Sequence, residues 1–75
     1  MMIYLGDNMT KKQEEIYNAI VAFIQEKGYS PTVREIGKMV NLKSPSTVHV
    51  HLMMLEAEGY ITSEPGKQRT IRVVM

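Results

Sequence analysis

The stretch from Ser44 to Gly59, SPSTVHVHLMMLEAEG, constrains the fold of this chain more than any other. Ser44 can cap a helix N-terminus with its hydroxyl, Pro45 fits the first helical position, where no N–H is needed, and Gly59 suits the left-handed residue that closes a helix. The stretch therefore reads as one helix with marked ends, residues 45–58. At roughly 100° per residue, Val48, Leu52 and Leu55 fall on one side, while Ser46, His49, Val50 and Met53 fall on the other. The first set has the character of core. The second is short and uncharged, and its members give or accept hydrogen bonds or touch a methyl group, as an element lying in a DNA major groove must. This is the pattern of a recognition helix.

Seventy-five residues make one small domain, in which an apolar core supplies only ~3–5 kcal/mol of net stability. With no cysteine in the chain, neither disulfides nor a thiolate zinc site can hold it together. No apolar run approaches the ~18 residues that span a bilayer, and residues 1–9 lack the charged start and small-residue cleavage site of a signal peptide. A cytoplasmic protein is the expectation, with no membrane partner, no small-molecule ligand and no cofactor. Nine Lys and Arg against eight Asp and Glu leave a net charge of +1, which alone implies nothing about nucleic acid. The charge is nevertheless sorted along the chain. Between Ile36 and Leu55 the charged residues are Lys38 and Lys43, after Glu64 they are Lys67, Arg69 and Arg72, and acids gather at Glu14, Glu15, Glu26, Glu56 and Glu58. A one-sided phosphate-binding surface requires such sorting.

Residues 1–9 show no helical period and read as a flexible N-terminal extension, although Ile3 to Leu5 can also add a short strand or pack in trans. The domain is placed at 10–75. Thr10 and Gln13 form a capping box, after which Ile16, Ile20, Phe23 and Ile24 repeat at helical spacing up to Gly28, with Tyr17 at the core edge. Lys11 and Lys12 stand in the first turn against the helix dipole and face either an external anion or solvent. Pro31 keeps Ser30 extended, and Thr32 with Glu35 makes a second capping box. A short helix follows over about 33–40, with Ile36, Met39 and Val40 as its apolar side and Gly37 open to close approach by another helix. Asn41 occupies the turn position that needs a left-handed residue, and Leu42 can plug the core beneath it. Short helix, tight turn and the helix from Ser44 make a helix-turn-helix. Tyr60-Ile61-Thr62 and Thr70 to Val74 read as strands, with Pro65-Gly66 as turn chemistry between them. The fold expected is mainly α with a small β-hairpin, a three-helix winged helix-turn-helix. Lys67, Gln68 and Arg69 lie at the tip of the wing or just beyond, either against a phosphate or the minor groove or as a solvated loop; charge does not decide between these.

With these elements in place, the chain resembles the DNA-binding domain of the LexA repressor family. The resemblance runs from Thr10 to about Val74. It rests on Thr10-Lys11-Lys12-Gln13, on the block from Gly28 to Ile36, on Ser44-Pro45-Ser46-Thr47-Val48-His49 with His51-Leu52, and on Leu55-Glu56 with Gly59-Tyr60-Ile61. It implies that Ser44, Ser46, Thr47, His49 and Val50 face the bases of a double-stranded DNA operator, a palindromic one, on which the protein acts as a transcriptional repressor. Hydroxyls and imidazole suit base edges, and Val50 suits a thymine methyl. His49 resembles the Gram-positive version of the family, whose operators contain GAAC and GTTC half-sites. Thr32 and Arg34 match phosphate-contacting positions, and charge adds Lys43, Lys67 and Arg69 to them. The sequence departs from the family in having Asn41 for the usual glycine of the turn. Family members also continue into a dimerising domain with serine-lysine self-cleavage chemistry, whereas this chain stops at Met75, so self-cleavage, damage-induced release and the main dimer contact do not follow for it from the resemblance. Its ends favour a free-standing bacterial or mobile-element regulator over a fragment, forming at most a weak homodimer on DNA.

Metal binding and catalysis both lack the residues they need. His49 and His51, two residues apart on a helix, point roughly 160° away from each other, so they share no metal ion within one chain. His51 is expected beside Val48 and Leu55 with one nitrogen bonded. Ser44, Ser46 and Ser63 lack a base and an orienting acid around a pocket, so no enzyme is expected. The alternative to DNA binding is a protein-interaction module, an antirepressor or assembly factor docking through Val50, Met53 and Met54.

Overall fold

A computed structural model of the protein describes residues 9–74. The expectations for residues 1–8, that they are flexible or that Ile3 to Leu5 pairs as a strand, lie outside the described residues. The element order is α1 (Lys11–Lys27), α2 (Val33–Met39), α3 (Pro45–Ala57), β1 (Ile61–Thr62) and β2 (Arg72–Val73).

α1 begins with the expected capping box: the Thr10 hydroxyl accepts from the Gln13 N–H at 3.1 Å, and the Thr10 N–H donates to Gln13 Oε1 at 2.9 Å. Ile16, Tyr17 and Ile20 then point into the core with no exposed surface. Tyr17 is thus central to the core and not at its edge, with its ring edge-on to Tyr60 at 6.2 Å; burial raises its phenol pKa. Of the two residues expected to continue the buried stripe, Ile24 is half-buried and packs against the core, while Phe23 is half-buried and lies outside it, because the last turns of α1 run past the core. Phe23 packs instead edge-on against Tyr29 at 5.6 Å. Met9, assigned by its sequence to the extension, is buried with the core cluster.

α2 starts on the second capping box, Thr32 with Glu35, and ends on paired backbone bonds. The Leu42 N–H donates to the Gly37 carbonyl at 2.8 Å and the Asn41 N–H to that of Lys38 at 3.4 Å. The bonds close only with a left-handed residue at Asn41, whose φ is 60°. Met39, read as part of the apolar side, is 44% exposed. Gly37 is the joint of the motif: a Cβ there would stand 2.9 Å from the Leu42 carbonyl oxygen and 3.5 Å from Val48 of α3. α3 closes in the same manner, with Gly59 at φ 85° and the Tyr60 N–H donating to the Leu55 carbonyl at 3.0 Å.

α3 packs on α1, α2 and β1, burying Val48, Leu52 and Leu55 as its spacing predicts. β1 and β2 pair antiparallel with Ile61 opposite Val73 and Thr62 opposite Arg72. These strands are shorter than expected: at the tip side the chain leaves the ladder after Thr62, so Thr70 and Ile71 have no strand partner, and at the other end only the Val74 N–H to the Tyr60 carbonyl, 2.9 Å, continues the pairing. In the tip the Lys67 N–H bonds the Glu64 carbonyl at 3.2 Å and Gly66 takes φ 76°. Ile61 and Ile71 fasten the hairpin to the core. The architecture is a three-helix winged helix-turn-helix, mainly α with a small β-hairpin. Among the described residues no helix is long and apolar enough to cross a membrane.

The joint predicts substitutions of different outcome at neighbouring positions. Gly37→Ala must displace backbone and is expected to destabilise by about 1–3 kcal/mol, whereas Asn41→Gly, which relieves a left-handed residue of its Cβ, is expected to stay within about 1 kcal/mol of wild type. Urea unfolding monitored by circular dichroism measures both.

Candidate nucleic-acid interface

Because one stripe of α3 is locked into the core, the opposite stripe is presented to solvent. Ser44, Pro45, Ser46, Thr47, His49, Val50, Met53 and Met54 are all exposed, and no carboxylate occurs on the helix before Glu56. Ser44 holds the N-cap position, yet its hydroxyl makes no cap hydrogen bond. Its ψ of 118° falls well short of the 163° and 164° at the two working caps, Thr10 and Thr32, and Pro45 at N1 supplies the helical start without it. The expected capping role is therefore not realised, and the Ser44 hydroxyl and the first N–H groups of α3 are left to partners outside the helix. His51, on the flank of α3, is half-buried; its Nδ1 is buried without a hydrogen-bond partner among the described residues.

A cleft separates α2 and α3 from the wing. His49 lines it from α3, Thr32 and Arg34 from α2, and Lys67, Gln68 and Arg69 from the wing. Residues from three separate segments are thus gathered around the exposed face of α3. Lys43 stands apart, exposed at the α2–α3 turn beside Lys38 and Asn41. Arg34 and Lys43 make no ion pair among the described residues, which leaves both cations available. Lys67 approaches Glu64 at 3.5 Å with both side chains largely exposed, a contact that water and salt weaken. Thr32 spends its hydroxyl on accepting the Glu35 N–H at 3.1 Å, but its O–H remains a donor. In α1, Lys12 donates to Glu15 at 2.8 Å and to the Val40 carbonyl at 3.3 Å, while Lys11 is exposed.

Arg69 is engaged within the fold. Its guanidinium grips Glu35 through two parallel bonds, Nη1 to Oε1 at 3.0 Å and Nη2 to Oε2 at 3.1 Å. Nη1 also donates to the Ser30 carbonyl at 3.0 Å, and the group lies 4.9 Å from the centre of the Tyr29 ring. The hydrogen bonds from Arg69 hold the Glu35 carboxyl below its usual range, helped by the Thr32 N–H, and the same carboxylate raises the Arg69 pKa. Next to this cluster, Ser30 is buried, donating to the Pro31 carbonyl at 2.9 Å and accepting the Ile71 N–H at 3.1 Å. No pattern in the sequence marks these long-range ties. In sequence Glu35 reads only as a capping residue; the second oxygen of its carboxylate and the fork geometry of arginine are the signal available.

The LexA DNA binding domain family matches residues 6–70 of the chain. The chain is 56% identical over 66 residues to the LexA repressors of Staphylococcus aureus strains USA300 and COL, a match that covers 88% of this chain and 32% of those proteins. It therefore spans about a third of the length of the curated relatives it resembles.

The Glu35 pairing sets a pH dependence. A carboxyl whose pKa is depressed on folding adds stability that is fully present above its unfolded pKa of ~4.3 and is lost as the pH falls through the lower folded value. Glu35→Gln is therefore expected to lower the melting temperature by a constant amount from pH 8 to about 5.5 and to converge on wild type towards pH 3. Thermal melts across this range measure the difference.

Proposed function

Because the chain belongs to the LexA DNA-binding domain family, we propose that it is a sequence-specific reader of double-stranded DNA that represses transcription by occupying its operator. The observation that carries this reading is the exposed face of α3, hydroxyls, an imidazole and a valine with no carboxylate before Glu56, bordered by cations from two other segments. α3 enters the major groove, where Ser44, Ser46, Thr47 and His49 bond base edges and Val50 meets a thymine methyl. Thr32, Arg34, Lys43 and Lys67 hold the phosphates and set the register of the helix on the duplex. The reading makes the domain a binder and not an enzyme, acting in the bacterial cytoplasm within the response to DNA damage that the LexA name carries. Membership of the family does not favour the alternative of a protein-docking module built on Val50, Met53 and Met54. Those residues instead continue the reading face towards the C-terminal end of α3.

The operator proposed is a palindrome with GAAC and GTTC half-sites, which places one copy of α3 in each half-site, ~34 Å apart. Each copy alone binds weakly, and two copies on one site gain by effective concentration.

Fluorescence anisotropy with this palindrome and a scrambled duplex, at two salt concentrations, tests the reading. Wild type is expected to prefer the palindrome. His49→Ala is expected to bind it about tenfold more weakly while binding the scrambled duplex as before; equal loss on both duplexes would remove His49 from base reading. Lys43→Ala should do the opposite, weakening both duplexes alike and making the slope of log K against log salt shallower by about 0.9.

A further inference from the structure

We infer that the Arg69–Glu35 pair is a positioning latch for DNA binding, one that sets the wing against α2 so that Arg69 governs affinity through the placement of Lys67 and Gln68 and not by touching a phosphate. The inference rests on the DNA-reading function proposed above. Its geometry starts with the end of the guanidinium, which is occupied: Nη1 and Nη2 meet the two carboxylate oxygens of Glu35, and Nη1 also meets the Ser30 carbonyl. A phosphate approaching that end of the group would have to displace the carboxylate.

The backbone at Arg69 supports the same role. Its φ of 56° is left-handed, a conformation that a non-glycine residue keeps only where its surroundings hold it. What holds it here comes from two directions. Glu35 is fixed in turn, since its Oε1 accepts the Thr32 N–H at 2.9 Å within the capping box of α2. On the far side of Arg69, Ile71 is tied to Ser30. One carboxylate thus joins the wing to the start of α2, and α2 is joined to α3 through the close approach at Gly37. Lys67 is two residues from Arg69, at most ~7 Å along the chain, so the latch sets where the tip stands relative to the reading face. With the latch released, the tip keeps its own closure, the Glu64 N–H on the Thr70 hydroxyl at 2.9 Å. It loses its tie to α2.

Glu35 gives the test its sign. An acid in the cleft beside Arg34, His49 and Lys67 repels a polyanion, so by charge alone Glu35→Gln should tighten DNA binding. A latch requires it to weaken binding. Gln still fits the third position of a capping box, so α2 keeps its start. The glutamine cannot reproduce the charged two-oxygen grip, and Arg69→Lys cannot reproduce the fork from the other side.

The experiment compares wild type, Glu35→Gln, Arg69→Lys and each change in a Lys67→Ala/Gln68→Ala background, by anisotropy with the palindrome and the scrambled duplex across salt concentration. Backbone order parameters of the DNA-free proteins are measured in parallel by 15N relaxation. The latch predicts that Glu35→Gln and Arg69→Lys each weaken binding about threefold or more, with a salt slope shallower by about 0.9, and add no further loss once Lys67 and Gln68 are absent. In the free protein the order parameters of residues 66–68 fall in Glu35→Gln while those of α3 are unchanged. Tighter or unaltered binding by Glu35→Gln, an undiminished loss in the Lys67→Ala/Gln68→Ala background, or unchanged order parameters at the tip each overturn the latch. Failure of wild type to distinguish palindrome from scrambled duplex overturns the DNA-reading proposal instead, and the order parameters then decide the latch alone.

Discussion

Burial of Val48, Leu52 and Leu55 against α1, α2 and β1 is the contact on which everything else in this domain depends. Each such side chain contributes about 1.5–3 kcal/mol on burial, in a chain whose size leaves a net stability of only a few kcal/mol. The same contact aims the candidate interface. Helical side chains three and four apart share a face, so locking one stripe into the core fixes the direction in which Ser46, His49 and Val50 project. Gly37 sharpens the arrangement, because the missing Cβ lets α2 and the Leu42 carbonyl close on α3 without displacing it.

The wing has no comparable core of its own. Its two strands contribute two ladder residues each, too few to hold a hairpin in water without packing. Ile61 and Ile71 supply apolar anchors, and polar ties do the rest. Ser30 is buried with its hydroxyl both donating and accepting, so its burial carries no unpaired-group penalty. The residues around the Ser30-Pro31 bend therefore join three parts of the molecule: the end of α1 through Tyr29 and Phe23, the start of α2 through Thr32 and Glu35, and the wing through Ile71 and Arg69. A bend that reads in sequence as a break between helices is the meeting point of the fold.

Such double use is how a small domain holds an extended surface. Glu35 caps α2 and grips the wing with the same carboxylate, and Lys12 links α1 to the end of α2 by donating to the Val40 carbonyl. Each of these side chains carries a role set by its own helix and a second set by a distant segment.

The roles set within a helix were legible in the chain, and the second roles were not. Both threonine capping boxes, the left-handed Asn41 and Gly59, the close approach at Gly37 and the two faces of α3 follow from residues within about five positions of one another, where helical periodicity and backbone valence dictate the partners. The base-facing residues were legible only partly: spacing marked Ser46, His49 and Val50 as one side of a helix, and their reading as operator contacts came from resemblance to a family. Where local rules failed at Phe23, at Met39 and in the strand lengths, the decision lay with how far the core extends beneath each element; at the Ser44 cap it lay with the backbone angle of the turn. Arg69 shows the limit most clearly. Its partners are Glu35, 34 positions away, and Ser30, 39 positions away, and no period in a chain encodes a pairing at that separation. Such a pairing exists only after three helices and a hairpin have packed, because packing brings the two charges within hydrogen-bonding distance.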